Sequence, residues 1–144
     1  MDNNQQQLVE RDYFLCQLSD LEELQSIELE IDERKLFAIR QDNQLYAYWN
    51  SCPHLSVALN WGHNHFLDPS KTHLQCATHG ALFQISDGLC ISGPCMDDQL
   101  DRVLLEQDQE HTYIVAGQRL PEPARNLRQE ALDELNNPSA EVIT

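Results

Sequence analysis

Cys52 and His54 stand two positions apart around Pro53, and Cys76 and His79 stand three apart ahead of Gly80. No other feature restricts the fold of this chain so tightly. A cysteine and a histidine that close in sequence can both project from the tip of one tight loop. Two such loops make a single site only if the chain brings them together in space. They then offer two soft thiolates and two imidazoles, a set that suits zinc or an iron–sulfur centre. Structural zinc sites tend to pair cysteine with cysteine and histidine with histidine along the sequence. Here each loop carries one of each, an order that suits a two-iron cluster in which each loop gives its cysteine to one iron and its histidine to the other. The donor chemistry alone leaves both metals open.

A chain of 144 residues has the size of one domain. No window approaches the roughly 18 consecutive apolar residues of a membrane span, and "MDNNQQQLVERD" has neither the basic start nor the apolar run of a secretory signal. A cytoplasmic protein is the expectation. Its five cysteines are an odd number, which argues against a complete disulfide framework and for metal binding. The net charge of −15 is unevenly spread: residues 1–51 and 96–144 each carry eleven acids and four bases, whereas 52–95 hold only Asp68, Asp87 and Lys71. Nucleic acid and anionic membrane are both bound chiefly through Lys and Arg, so neither is an expected partner. A basic protein face is, although acidity also serves solubility.

Period-two alternation dominates the body. "IELEI" at 27–31 alternates apolar and acidic residues, and "LFAIR" and "LYAYW" flank "QDNQ" as a hairpin with a polar turn, all read as half-buried strands. Further strands are expected at "ALFQI", "RVLLEQ" and "TYIVAG", with turns at "DPS", "SDG" and "SGP". Ser19 and Glu22 have capping-box spacing and predict one short helical turn. In 123–136, Leu127, Ala131, Leu132 and Leu135 recur at helical spacing between a proline start and an "NNP" stop. The expected fold is mainly β, an antiparallel sandwich or small barrel. It divides into a loose tail over 1–11, a domain over 12–118, and a C-terminal tail over 119–144 with an amphipathic helix that props the body.

Cys52-Pro53-His54 and Cys76-Ala77-Thr78-His79-Gly80, followed by "FQISDG" and "SGP", resemble the signature of the Rieske [2Fe-2S] domain family. The resemblance runs from about Asp12 to Gly117. It implies an antiparallel β body with a cluster-binding subregion at one end and one [2Fe-2S] cluster per chain. By the same resemblance Cys52 and Cys76 bind one iron, His54 and His79 bind the other, and Gly93-Pro94 belongs to a loop that covers the cluster. "GHNHFLDPS" becomes a protruding turn between the ligand loops. Respiratory-chain members of the family add a cysteine to each ligand loop, at places held here by Val57 and Thr78, so no bridge between the loops can form. They also carry a serine and a tyrosine after the second loop, where this chain has Ala81 and Phe83. Loss of those hydroxyl donors implies a cluster that is harder to reduce.

In function the sequence resembles the soluble ferredoxins of ring-hydroxylating oxygenases. That implies a one-electron carrier with no turnover of its own, placed between a flavin-containing reductase and an oxygenase or other oxidoreductase. The alternatives are a small Rieske subunit or redox-sensing module of an enzyme complex, and a zinc-stabilised binding module. His63, His65, His73 and His111 are expected as exposed loop histidines, and Trp49, Trp61, Tyr46 and Tyr48 as packing residues. Cys16 is expected in the core. Cys90 and Cys95, which frame "CISGPC", are expected near the cluster either as small apolar groups or as a reversible pair.

Overall fold

The structure, a computed structural model, describes residues 7–53, 57–60, 66–77, 80–124 and 127–135. Among these the strands are β1 (Tyr13–Gln17), β2 (Ser26–Ile31), β3 (Arg34–Gln41), β4 (Gln44–Trp49), β5 (Leu74–Gln75), β6 (Leu82–Phe83), β7 (Cys90–Ser92), β8 (Leu105–Asp108) and β9 (His111–Ile114). One helix, α1 (Leu127–Leu135), follows them. The strands form three antiparallel sheets in the orders β1-β9-β8, β2-β3-β4 and β5-β6-β7. The chain is thus mainly β, as expected. No described helix is long and apolar enough to cross a membrane.

Two tight turns set the register of the second sheet. Asp32 and Glu33 join β2 to β3, Asp42 and Asn43 join β3 to β4, and all four residues have positive φ, from 48° to 68°. Positive φ at both central residues is the type I′ geometry, whose twist matches that of the flanking strands. Gln41 then faces Gln44, and the pairing runs back to Leu36 opposite Trp49.

The strand β3 is buried on both faces, not on one. Leu36, Phe37, Ala38 and Ile39 are each 0 % exposed. Because successive side chains point to opposite faces, Phe37 and Ile39 join Tyr48 in one core, while Leu36 and Ala38 join Ala47 and Trp49 in another. The first core also contains Cys52 and Cys76. The second is filled by Leu15, Cys16, Val103 and Ile114. A single sheet therefore forms a wall shared by the body and by the region of the two cysteines.

The expected strand at "RVLLEQ" starts late. Residues 101–103 instead cover the edge of β4: Trp49 N–H donates to the Asp101 carbonyl at 2.9 Å, and Val103 N–H to that of Ala47 at 2.9 Å. An open sheet edge is thereby closed, and β8 begins only at Leu105. The helical turn is likewise displaced from Ser19/Glu22. It is a 3₁₀ turn over Leu18–Asp20, closed by Gln17 N–H on the Asp20 carboxylate at 2.9 Å.

Residues 7–9 pair with residues 117–120. Val9 N–H donates to the Gln118 carbonyl at 2.9 Å, Gly117 N–H to that of Val9 at 2.7 Å, and Leu120 N–H to that of Gln7 at 2.8 Å. Val9 and Leu120 are buried in the second core. In α1, residues 130–135 are all exposed, including Leu132 and Leu135, so this apolar stripe is not covered by the body. Residues 125, 126 and 136 of the expected helix lie outside the described residues.

Candidate metal centre

Both cysteine loops close in the same way. Cys52 N–H donates to the Val57 carbonyl at 2.6 Å, and Cys76 N–H to the Ala81 carbonyl at 2.9 Å. In each case the cysteine amide reaches the residue five positions on. The second loop is tightened by Gly80 N–H on the Cys76 carbonyl at 2.8 Å, with Gly80 at φ 71°. A third bond joins the loops: Ala77 N–H donates to the Leu59 carbonyl at 2.7 Å.

Asn50 holds the first loop at its base. Its Oδ1 accepts Leu59 N–H at 2.7 Å and its Nδ2 donates to Asn60 Oδ1 at 2.7 Å, while its own N–H donates to the Lys35 carbonyl at 2.8 Å. The side chain is only 2 % exposed. The loop thus leaves β4, returns after ten residues, and is clamped to β3 through one buried amide. Nothing in the sequence reading had singled Asn50 out.

Cys52 and Cys76 are 2 % and 1 % exposed. Around them stand Val57, Leu59, Ala81 and Phe83, over a floor in which Phe37 stacks on Phe66 with ring centroids 4.1 Å apart. Tyr48 anchors this floor by donating to the Ile85 carbonyl at 2.6 Å. Burial is the main cause that pushes its hydroxyl up to about 12, with Arg102 acting against the rise. Two thiolates in such apolar surroundings need a cation to offset their desolvation, and thiolates select soft metals and iron–sulfur clusters. The two buried sulfurs on matched, joined loops therefore fit the cysteine half of the expected donor set. His54 and His79 lie outside the described residues, as do Leu55, Trp61, His63, His65 and Thr78. His111 lies in β9 and not in a loop, beside the Phe14 ring at 5.9 Å and Gln17 Nε2 at 3.3 Å. His73 sits in a turn next to Thr72.

The "CISGPC" segment lies against the second loop. Cys90 N–H donates to the Asp98 carbonyl at 2.7 Å and Asp97 N–H to that of Cys90 at 3.0 Å, closing the segment into a compact turn. Cys95 Sγ donates to Cys90 Sγ at 3.0 Å, and Cys90 Sγ in turn faces the Ser92 carbonyl at 3.4 Å. Burial and then the Cys90 thiol push Cys95 up to about 12, while a hydrogen bond with Cys52 acts in the opposite direction. Cys95 and Cys90 are thus linked sulfur to sulfur. Cys16 is apart from them in the second core, as expected, and burial raises its thiol to about 11.

Residues 11–116 match the family model of the Rieske [2Fe-2S] domain. The chain belongs to the Rieske family. Membership implies a [2Fe-2S] cluster as the cofactor. Apoptosis-inducing factor 3 of Homo sapiens is 28 % identical over 105 residues, which cover 73 % of this chain but 16 % of that protein. This Rieske chain therefore spans a small part of the curated relative. Among solved structures, the ferredoxin of carbazole 1,9a-dioxygenase from Nocardioides aromaticivorans IC177 superposes with a TM-score of 0.58 at 17 % identity. The match covers 74 % of this chain and 98 % of that one. A chain from the complex of reduced oxygenase and oxidized ferredoxin in carbazole 1,9a-dioxygenase gives 0.60 at 24 % identity, covering 78 % and 99 %. These structures share the fold.

Proposed function

We propose that the chain is a soluble one-electron carrier whose [2Fe-2S] cluster is held by Cys52 and Cys76 on one iron and by His54 and His79 on the other. The observation that carries this reading is the matched closure of the two cysteine loops, joined through Ala77 and Leu59 around buried sulfurs. When bound, the cluster supplies reversible uptake of a single electron. The chain's own residues hold it dry from below, through Phe37, Tyr48 and Phe66. A flavin-containing reductase with a basic face is the proposed donor, and an oxygenase or other redox enzyme the acceptor, in the cytoplasm. Similarity of fold to a dioxygenase ferredoxin supports this assignment.

A second reading, a Rieske module within a larger assembly, is favoured by one observation: the human relative carries its matching region in a much longer chain. The purified protein should contain two irons and two acid-labile sulfides per chain. Cys52→Ser and Cys76→Ser should each abolish the visible spectrum, because ligand binding and folding are coupled. Stoichiometric zinc under adequate iron supply would exclude the carrier and favour a zinc-stabilised module. Constant co-purification with one enzyme would favour the fixed module.

A further inference from the structure

The Cys90 and Cys95 sulfurs are not explained by the proposed cluster ligation, which uses Cys52 and Cys76. Cys90 and Cys95 are buried, at 1 % and 2 % exposed, with their sulfurs 3.0 Å apart. A disulfide requires about 2.05 Å, so closure needs an approach of only about 1 Å. Their cover is thin. Residues 92–94 and 96–99 are all exposed, and Cys95 is the single buried position among them. The turn between the two cysteines contains Gly93 and Pro94 and is stapled by backbone bonds at its base, which keeps the sulfurs in register.

We propose that Cys90 and Cys95 are a closable thiol pair: a low-molecular-weight disulfide joins their sulfurs beneath the turn that lies against the Cys76 loop. In the exchange one cysteine sulfur attacks the small disulfide and releases one small thiol. The second cysteine sulfur then displaces the other. One S–S bond breaks and one forms, the two cysteine protons pass to the two released thiols, and two electrons move from the pair to the oxidant.

The test uses the holoprotein treated with oxidised glutathione, with peptide mapping under non-reducing conditions and the visible spectrum. The expected result is a linked peptide joining Cys90 to Cys95 while the spectrum is retained, and the link should open again with dithiothreitol. Cys90→Ser should form no link with oxidant. A link that appears only after the spectrum bleaches, or no link at all, would overturn the proposal. Protein isolated without any [2Fe-2S] spectrum would instead count against the ligand reading, and the peptide map would still report whether the pair closes.

Discussion

Gly93 lies so close to Ala81 that a Cβ on it would stand 2.9 Å from the Ala81 Cα and 3.0 Å from its Cβ. The contact is backbone against backbone, between the "CISGPC" turn and the residue whose carbonyl closes the Cys76 loop. Gly93 also has φ 109°, where side chains other than glycine's are strained. Gly93→Ala should therefore cost at least ~1–3 kcal/mol from backbone strain alone and should push this turn away from the Cys76 loop. Thermal melting together with the rate of cluster bleaching checks this. A variant as stable as the parent, and bleaching no faster, would show that the turn does not brace the loop.

Asn50 makes a second, independent prediction. Asn50→Ala leaves the buried Leu59 N–H without its acceptor, a loss that costs about 1–3 kcal/mol. The Cys52 loop loses its clamp while Cys52 itself is untouched, so on the proposed ligation iron should be extracted by a chelator faster than from the parent. Asn50→Asp keeps the acceptor and should be milder in loop closure, although it buries a charge. Equal chelation rates in Asn50→Ala and the parent would show that the clamp is dispensable.

The sequence revealed what is local. The "QDNQ" turn and the spacing within each Cys/His pair are set over a few residues, and Asp42 and Asn43 do take the positive φ that such turns demand. What escaped depends on residues distant in sequence. The strand β1 pairs with β9 at the far end of the chain, so its neighbours cannot be read from "YFLCQ". β5 and β7, at two and three residues, are too short to show a period. The burial of β3 on both faces needs a second core beyond the sheet, which alternation within one strand does not reveal. Cys95 joins the core of Cys52 from 43 positions away through a turn that contains Gly93. The two Cys/His loops stand out by residue type, whereas the Asn50 clamp that holds the first of them does not.

The reduction potential should lie toward the lower end of the roughly −150 to +300 mV range of Rieske centres. Ala81 and Phe83 are buried beside Cys52 and Cys76 and carry no hydroxyl. The chain adds a net charge of −15 to a site about to gain an electron. Voltammetry at neutral pH is the check, and a strongly positive midpoint would contradict the argument. Ala81→Ser with Phe83→Tyr should raise the midpoint if the added hydroxyls reach sulfur. Because Gly93 already crowds Ala81, the single Phe83→Tyr variant separates a true donor effect from a displaced turn.

Asp97 and Asp98 are exposed in the turn that closes onto Cys90, next to the exposed Met96, so this corner offers charge and apolar surface together. Electron transfer from a basic-faced reductase should slow as ionic strength rises, because screening shortens the reach of the acidic field to about 8 Å at physiological salt. Asp97→Asn with Asp98→Asn removes two charges while keeping the fold of the turn. Asparagine tolerates the left-handed backbone that Asp97 adopts at φ 77°, and the two residues' backbone bonds to Cys90 do not depend on the side chains. The double variant should lower the rate at low salt and flatten its dependence on salt. A charge introduced at Leu55, which lies outside the described residues, or at Met96 should instead weaken productive contact at every salt concentration. Stopped-flow reduction across a salt series distinguishes the two effects. A rate indifferent to salt in the unmodified protein would show that the acidity serves solubility and not docking.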